Sequence, residues 1–176
     1  QQEVQIIDIG TARLATQPHR YDVIVTLNLY GDIISDVTAE LTGSVGMAGS
    51  ANIGDRISMF EAIHGSAPDI ASMGIANPSA MLNAACMMLV HLGLPEKALA
   101  IQNAWLKTLE DGIHPGDIFR EGLSKHRTGT KAFADAVIAR LGQKPAELKS
   151  VEMKGGGVPK FHYERPAVRR ELCGVD

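Results

Sequence analysis

Cysteine is scarce in this chain of 176 residues, which has two. Cys86 and Cys173 lie far apart and outside any C-x-x-C spacing, which argues against a disulfide framework or a cysteine-based zinc site and fits a reducing, cytoplasmic setting. Aromatic residues make up only 5% of the chain, so the core of what should be one compact domain has to be filled mainly by Ala, Ile, Leu, Val and Met. Long apolar runs are missing too. The longest, Ala84 to Val90, is far below the roughly 20 residues needed to cross a bilayer. Neither sign of charge dominates: 17 Lys+Arg against 20 Asp+Glu give −3 near neutral pH, which excludes a polybasic arm for nucleic acid or a membrane surface. No internal repeat is visible. The first residues, opening on Gln1, show neither the basic region nor the apolar stretch of a signal peptide, and the chain reads as the middle of something longer.

Residues Tyr21 to Asn28 (YDVIVTLN) are rich in β-branched side chains and run into Gly31-Asp32, a pattern that predicts a largely buried strand. Apolar residues then recur at helical spacing from Ile33 to Leu41. Gly43, Gly46, Gly49 and Gly54 follow, in a stretch that cannot hold a regular helix and reads as a flexible or tightly turning loop. Ile57 to Ile63 returns to a strand pattern, and His64 to Asp69 forms a second turn-rich loop. Asn77 before Pro78 marks a helix start and Gly93 its stop. This 78–92 helix is apolar nearly all round and should sit deep in a core or an oligomer interface. Amphipathic helices are expected from about Pro95 to Glu110 and from about Thr130 to Leu141, with irregular chain around Pro115 to Arg127 between them. After Gly142, scattered Lys and Arg among Gly155-Gly156-Gly157 and three prolines read as a linker.

Chemistry begins with acidic residues. Asp32 and Asp36 stand four apart, so on a helix both carboxylates share one face, one turn apart. Asp32 could cap the helix and Asp36 be solvated near its positive N-terminus. Alternatively the pair could hold Mg²⁺ or Mn²⁺, which needs one or two protein carboxylates and takes its other oxygens from water and substrate. Asp69, in a turn, could be solvated or accept ribose hydroxyls. Neither Gly-rich loop matches the dinucleotide fingerprint G-x-G-x-x-G or the P-loop, so a Rossmann domain is excluded on motif grounds.

Four segments in order carry a family likeness: NLYGDIISD, the small-residue stretch ending SANIGD, FEAIHGSAP, and IANP. Together they resemble the β-decarboxylating dehydrogenases of isocitrate and isopropylmalate, over roughly residues 1 to 142. The alanine in FEAIHG and the ANIG segment are closer to the isocitrate branch, while isopropylmalate, homoisocitrate or tartrate are the alternatives within the family. The resemblance implies that family's α/β fold, which is not a Rossmann fold, here as a partial chain. Residues 1–42 would belong to a small domain carrying metal and dimer contacts, 43–142 to a larger α/β cofactor-binding domain, and 143–176 to a linker and the start of a C-terminal extension. LCGVD resembles the extension's opening strand.

By that resemblance Asp32 and Asp36 would be metal ligands for Mg²⁺ or Mn²⁺. Asp8 would be the carboxylate supplied across a homodimer interface. Glu61 would lie near the nicotinamide, and His64, Gly65, Ala67, Asp69, Ile70, Asn77 and Asp117 would contact the rest of the cofactor. NADP-specific relatives place Lys-Tyr where this chain has Asp69-Ile70. A carboxylate there can accept ribose hydroxyls but would repel a 2′-phosphate, so NAD is expected. Arg120 dissents, falling where NADP-specific bacterial relatives use an arginine, although the tyrosine four residues before it is Gly116 here. The implied activity is metal-assisted oxidation and decarboxylation of a 2-hydroxy acid, isocitrate being favoured. No catalytic residue is expected in this chain: the family's tyrosine–lysine pair and its substrate-gripping Ser, Asn and Arg segment lie upstream, so this chain alone should not turn over. A non-catalytic regulatory subunit or a cofactor-binding module is the alternative, and retention of all three aspartates argues against the regulatory role.

Overall fold

The computed structural model describes residues 3–152. Helix α1 (Ile7–Thr16) packs on α2 (Asn28–Leu41), burying Leu14 and Ile34. A short 3₁₀ turn (Val45–Met47) leads to an antiparallel hairpin of β1 (Gly49–Ile53) and β2 (Ser58–Ala62), with Gly49 opposite Ala62 and Ile53 opposite Ser58. Helices α3 (Ser79–His91) and α4 (Pro95–Glu110) follow, then a two-stranded parallel pair, β3 (Ile113–Pro115) with β4 (His126–Thr128), and α5 (Thr130–Ile138).

Helix α3 is the centre of the arrangement, with the hairpin against one side and α4 against the other. Its buried positions are small: Ser79, Ala80, Ala84 and Cys86. Small side chains let neighbouring backbones approach closely. A Cβ built on Gly49 would lie 2.6 Å from the Ala84 nitrogen and 3.1 Å from the Ala80 carbonyl oxygen, so only glycine fits where β1 crosses α3. On the other side Ala104, Phe133 and Val137 form the core, with Leu82, Trp105, Leu109 and Ile113 packed around them. The Trp105 indole N–H donates to Ser79 Oγ at 2.9 Å, joining α4 to the start of α3. The sequence start signal for α3 is real: Asn77 Oδ1 accepts from the Ser79 amide at 3.0 Å, and Gly93, at φ 75°, ends the helix.

Four expectations need correction. The segment 21–27 forms no strand, and Asn28 already opens α2. Val23, Val25 and Leu27 are 81%, 92% and 77% exposed. β-Branched residues favour extended backbone, but a ladder needs a partner, and no described segment pairs with this one. The stretch Gly43–Gly54 is not simply a loop, since β1 lies within it and Gly49 serves close packing on α3. The interval 115–127 is flanked by the two short parallel strands rather than wholly irregular. The expected place of helix α3, in a core or an oligomer interface, is not contradicted: it is packed against the hairpin and α4, while its apolar outer face, with Met81 57% exposed, is not covered by the described residues. Helix α5 ends at Ile138, slightly before the expected Leu141.

The beginning of the expected linker has no helix or strand, yet α4 grips it. Glu110 accepts the amides of Ala146, Glu147 and Leu148 at 2.6–3.0 Å, and Asn103 bonds both the amide and the carbonyl of Val151. Those amides, with Lys107 at 3.0 Å, hold the Glu110 carboxyl at about 2, well below its ordinary value. Lys107 and Arg140 likewise lower the carboxyl of Asp111. The triple glycine and LCGVD lie outside the described residues, as does Cys173; Cys86 is a free, buried thiol whose pKa burial pushes up.

Candidate functional site

Helix α2 carries the acidic pair. Asp32 and Asp36 lie within the helix, one turn apart and both exposed, so neither is the N-cap; that position is Leu27. Asn28 Nδ2 donates to Asp32 Oδ2 at 3.2 Å, which orients one carboxylate and leaves Asp36 to solvent. Asp8 is exposed in the first turn of α1. No group of three or more His, Cys, Asp or Glu among the described residues could hold a metal ion, so Asp8 is not brought together with Asp32 and Asp36 within one chain. Two carboxylates on one exposed face still fit Mg²⁺ or Mn²⁺, whose remaining oxygens come from water and substrate.

A second region is an open cleft of about 1120 Å³, lined by the segments 44–46, 64–67, 70–72, 74–77, 116–117 and 127–130. Its wall is built mostly of small residues, which lets a ligand approach the backbone closely. Two lining residues other than glycine adopt left-handed backbone, Ala67 (φ 42°, ψ 64°) and Ser72 (φ 63°). Each such residue costs about 1–2 kcal/mol, and strain of this kind collects at binding loops. The loop is held from α5. The Thr130 amide donates to the Gly74 carbonyl at 2.8 Å and its hydroxyl to the Ala76 carbonyl. A Cβ on Gly129 would stand 2.6 Å from the Gly74 oxygen.

One hydrogen-bonded group joins three walls. Asp117 Oδ2 accepts from Asn77 Nδ2 at 2.9 Å and from the Ser44 hydroxyl. Ser44 in turn accepts from the Gly46 amide at 3.0 Å, while Asn77 Oδ1 accepts from the Ser79 amide that opens α3. Gly46 is enclosed by this group, its hypothetical Cβ lying 2.9 Å from Asp117 Oδ2 and 3.0 Å from Asn77 Cβ. The Asn77 and Asp117 expected to contact the cofactor are therefore in direct contact with each other, and both line the cleft.

Of the remaining expected cofactor residues, His64, Gly65, Ala67 and Ile70 also line it. Asp69 does not, although it sits between Ala67 and Ile70 and is exposed. Glu61 is outside the lining as well, on β2, where it accepts from Asn52 Nδ2 at 2.9 Å. Arg120 is exposed and also outside it. Sequence reasoning missed Ser44, Arg127 and Thr130. Ser44 had a legible signal, a hydroxyl just before a glycine turn; Arg127 enters through the β3–β4 pairing and Thr130 through its bonds to Gly74 and Ala76, which no local pattern announces.

The family model described as isocitrate/isopropylmalate dehydrogenase matches residues 1–137. The chain is 63% identical over 150 residues to a protein named isocitrate dehydrogenase (NADP) from Rickettsia bellii, an overlap of 85% of this chain and 31% of that relative. It is 46% identical over 136 residues to isocitrate/homoisocitrate dehydrogenase from Thermus thermophilus, 77% of this chain and 39% of that one. The solved isocitrate dehydrogenase of Methylococcus capsulatus superposes with TM-score 0.74 at 45% identity, over 79% of this chain and 40% of that chain. The chain thus spans about a third of the curated relatives it matches.

Proposed function

Because this chain belongs to the isocitrate/isopropylmalate dehydrogenase family, we propose that it contributes metal and cofactor sites to a longer enzyme that oxidatively decarboxylates isocitrate to 2-oxoglutarate with NAD. The observation that carries the reading is the pair Asp32 and Asp36, exposed one turn apart on α2 within the segment matched by the family. Asp32 and Asp36 hold Mg²⁺ or Mn²⁺, Asn28 orients the first of them, and Asp8, exposed on α1, completes the set from the partner chain of a homodimer. When bound, the cation supplies Lewis acidity toward the substrate's hydroxyl and carboxylate oxygens, and the dinucleotide supplies the hydride acceptor.

The chain's own contribution is positioning. The Ser44–Asp117–Asn77 group fixes the cleft wall, and the loop tied to Thr130 presents Ala67 and Ile70 to the adenosine half of the cofactor. Asp69, beside Ile70, accepts the ribose hydroxyls and repels a 2′-phosphate, which supports NAD. NADP is the second reading, favoured by the cofactor in the name of the Rickettsia relative. Homoisocitrate is the alternative substrate, favoured by the name of the Thermus relative. Proton return to the product needs the tyrosine–lysine pair that the resemblance puts upstream, so the 176-residue chain does not turn over alone.

Mn²⁺ titration followed by electron paramagnetic resonance, with isocitrate present, tests the metal assignment. Asp32→Asn and Asp36→Asn should each weaken Mn²⁺ binding by about tenfold or more, as expected when one of three charged ligands is lost. Equal Mn²⁺ affinity in both variants would remove the basis of the proposal.

A further inference from the structure

Among the residues lining the cleft, Arg127 alone has a permanent positive charge and Asp117 alone carries a carboxylate. Asp117 is already occupied by Ser44 and Asn77. Arg127 takes part in none of the ion pairs among the described residues. It sits on β4, opposite His114 of β3, and its guanidinium lies against the chain at Gly116: a Cβ there would meet Nη2 at 3.0 Å, Nε at 3.3 Å and Cζ at 3.6 Å. Glycine at 116 is what gives the planar group room at the cleft wall. Arg127 is exposed at the cleft wall, so its guanidinium N–H groups are free to donate to an acceptor that enters the cleft.

We infer that Arg127 is the phosphate-binding residue of this cleft, its guanidinium fork donating to a phosphate of the adenine dinucleotide. This rests on the reading of the cleft as the cofactor site and goes beyond it by naming the anion anchor. The fork geometry suits two phosphate oxygens at once, which a lysine cannot match. The phosphate has two sources, the pyrophosphate shared by NAD and NADP, and the 2′-phosphate of NADP alone.

Isothermal titration of the 176-residue chain with NAD⁺, NADP⁺, 5′-AMP and adenosine separates these, using Arg127→Gln, Arg127→Lys and Gly116→Ala. A pyrophosphate contact predicts that Arg127→Gln weakens NAD⁺, NADP⁺ and 5′-AMP on the order of tenfold while adenosine is unchanged. Arg127→Lys should recover part of the loss, and Gly116→Ala should mimic it by displacing the guanidinium. A loss confined to NADP⁺ keeps Arg127 as the anchor and assigns it to the 2′-phosphate. Unchanged affinity for every phosphorylated ligand, in a variant whose urea midpoint matches the unaltered chain, overturns the assignment of Arg127. Failure of the unaltered chain to bind any of the four, adenosine included, overturns the cleft reading itself.

Discussion

Gly49→Ala tests how the hairpin is held on α3. The added Cβ would stand 2.6 Å from the Ala84 nitrogen, 3.0 Å from its Cα and 3.1 Å from the Ala80 carbonyl, against ordinary contacts of about 3.5–4.0 Å. All three atoms belong to helix backbone, so no rotamer change relieves the overlap; β1 has to move off α3, where Ala80 and Ala84 are fully buried. Overpacking of this kind costs about 1–3 kcal/mol, and the upper half of that range applies because the neighbour cannot yield. For a chain of this size each kcal/mol lowers Tm by about 2–4 °C, so thermal unfolding followed by circular dichroism should show a drop of about 4–12 °C. Gly65→Ala is the control: a Cβ there meets nothing within 4 Å, and its effect should stay within about 0.5 kcal/mol. Ala84→Gly should not rescue Gly49→Ala, since it removes a Cβ and leaves the clashing nitrogen. Equal stability of Gly49→Ala and the unaltered chain would refute the close approach of β1 and α3.

The Glu110 clamp predicts a pH dependence. Its carboxyl is held at about 2 instead of the ordinary 4.5, so the folded value is depressed and the stabilisation, complete above about pH 5, is lost as pH falls from about 4.5 toward 2. Urea midpoints measured between pH 5 and 3 should fall less steeply in Glu110→Gln; an identical slope would rule the clamp out. Asp117→Ala leaves the Ser44 hydroxyl and the Asn77 amide without their acceptor, at about 1–3 kcal/mol for each group left unsatisfied. Denaturant unfolding should show that loss, with Asp117→Asn milder because it keeps an acceptor oxygen; a neutral Asp117→Ala would mean the three walls are not joined through this carboxylate.

The helices were legible in the sequence because each carries its own signals. Asn77 with Pro78 and Gly93 bracket α3, and the apolar spacing of Leu99, Leu106 and Leu109 draws α4. Strands were harder, because a strand is defined by its partner: Val23 and Val25 have the right chemistry and no ladder, whereas Ile113 to Pro115 and His126 to Thr128 pair across an intervening segment with no alternating pattern. The site divided the same way. Asp32 and Asp36 are four apart on one helix and could be read directly. Asn77 and Asp117, forty residues apart, came from resemblance alone, and Ser44, which closes their group, came from the structure. Arg127 was invisible locally because its place depends on the absence of a side chain at Gly116, which follows the other strand of the pair.

The most direct test of the cofactor assignment is a paired titration of the chain with NAD⁺ and NADP⁺ by calorimetry, repeated in Asp69→Lys with Ile70→Tyr. The proposed contact of Asp69 with the adenosine ribose predicts that NAD⁺ binds about tenfold more tightly than NADP⁺ and that the double variant reverses the order. Tighter binding of NADP⁺ by the unaltered chain, or a double variant that leaves the preference for NAD⁺ unchanged, would contradict it.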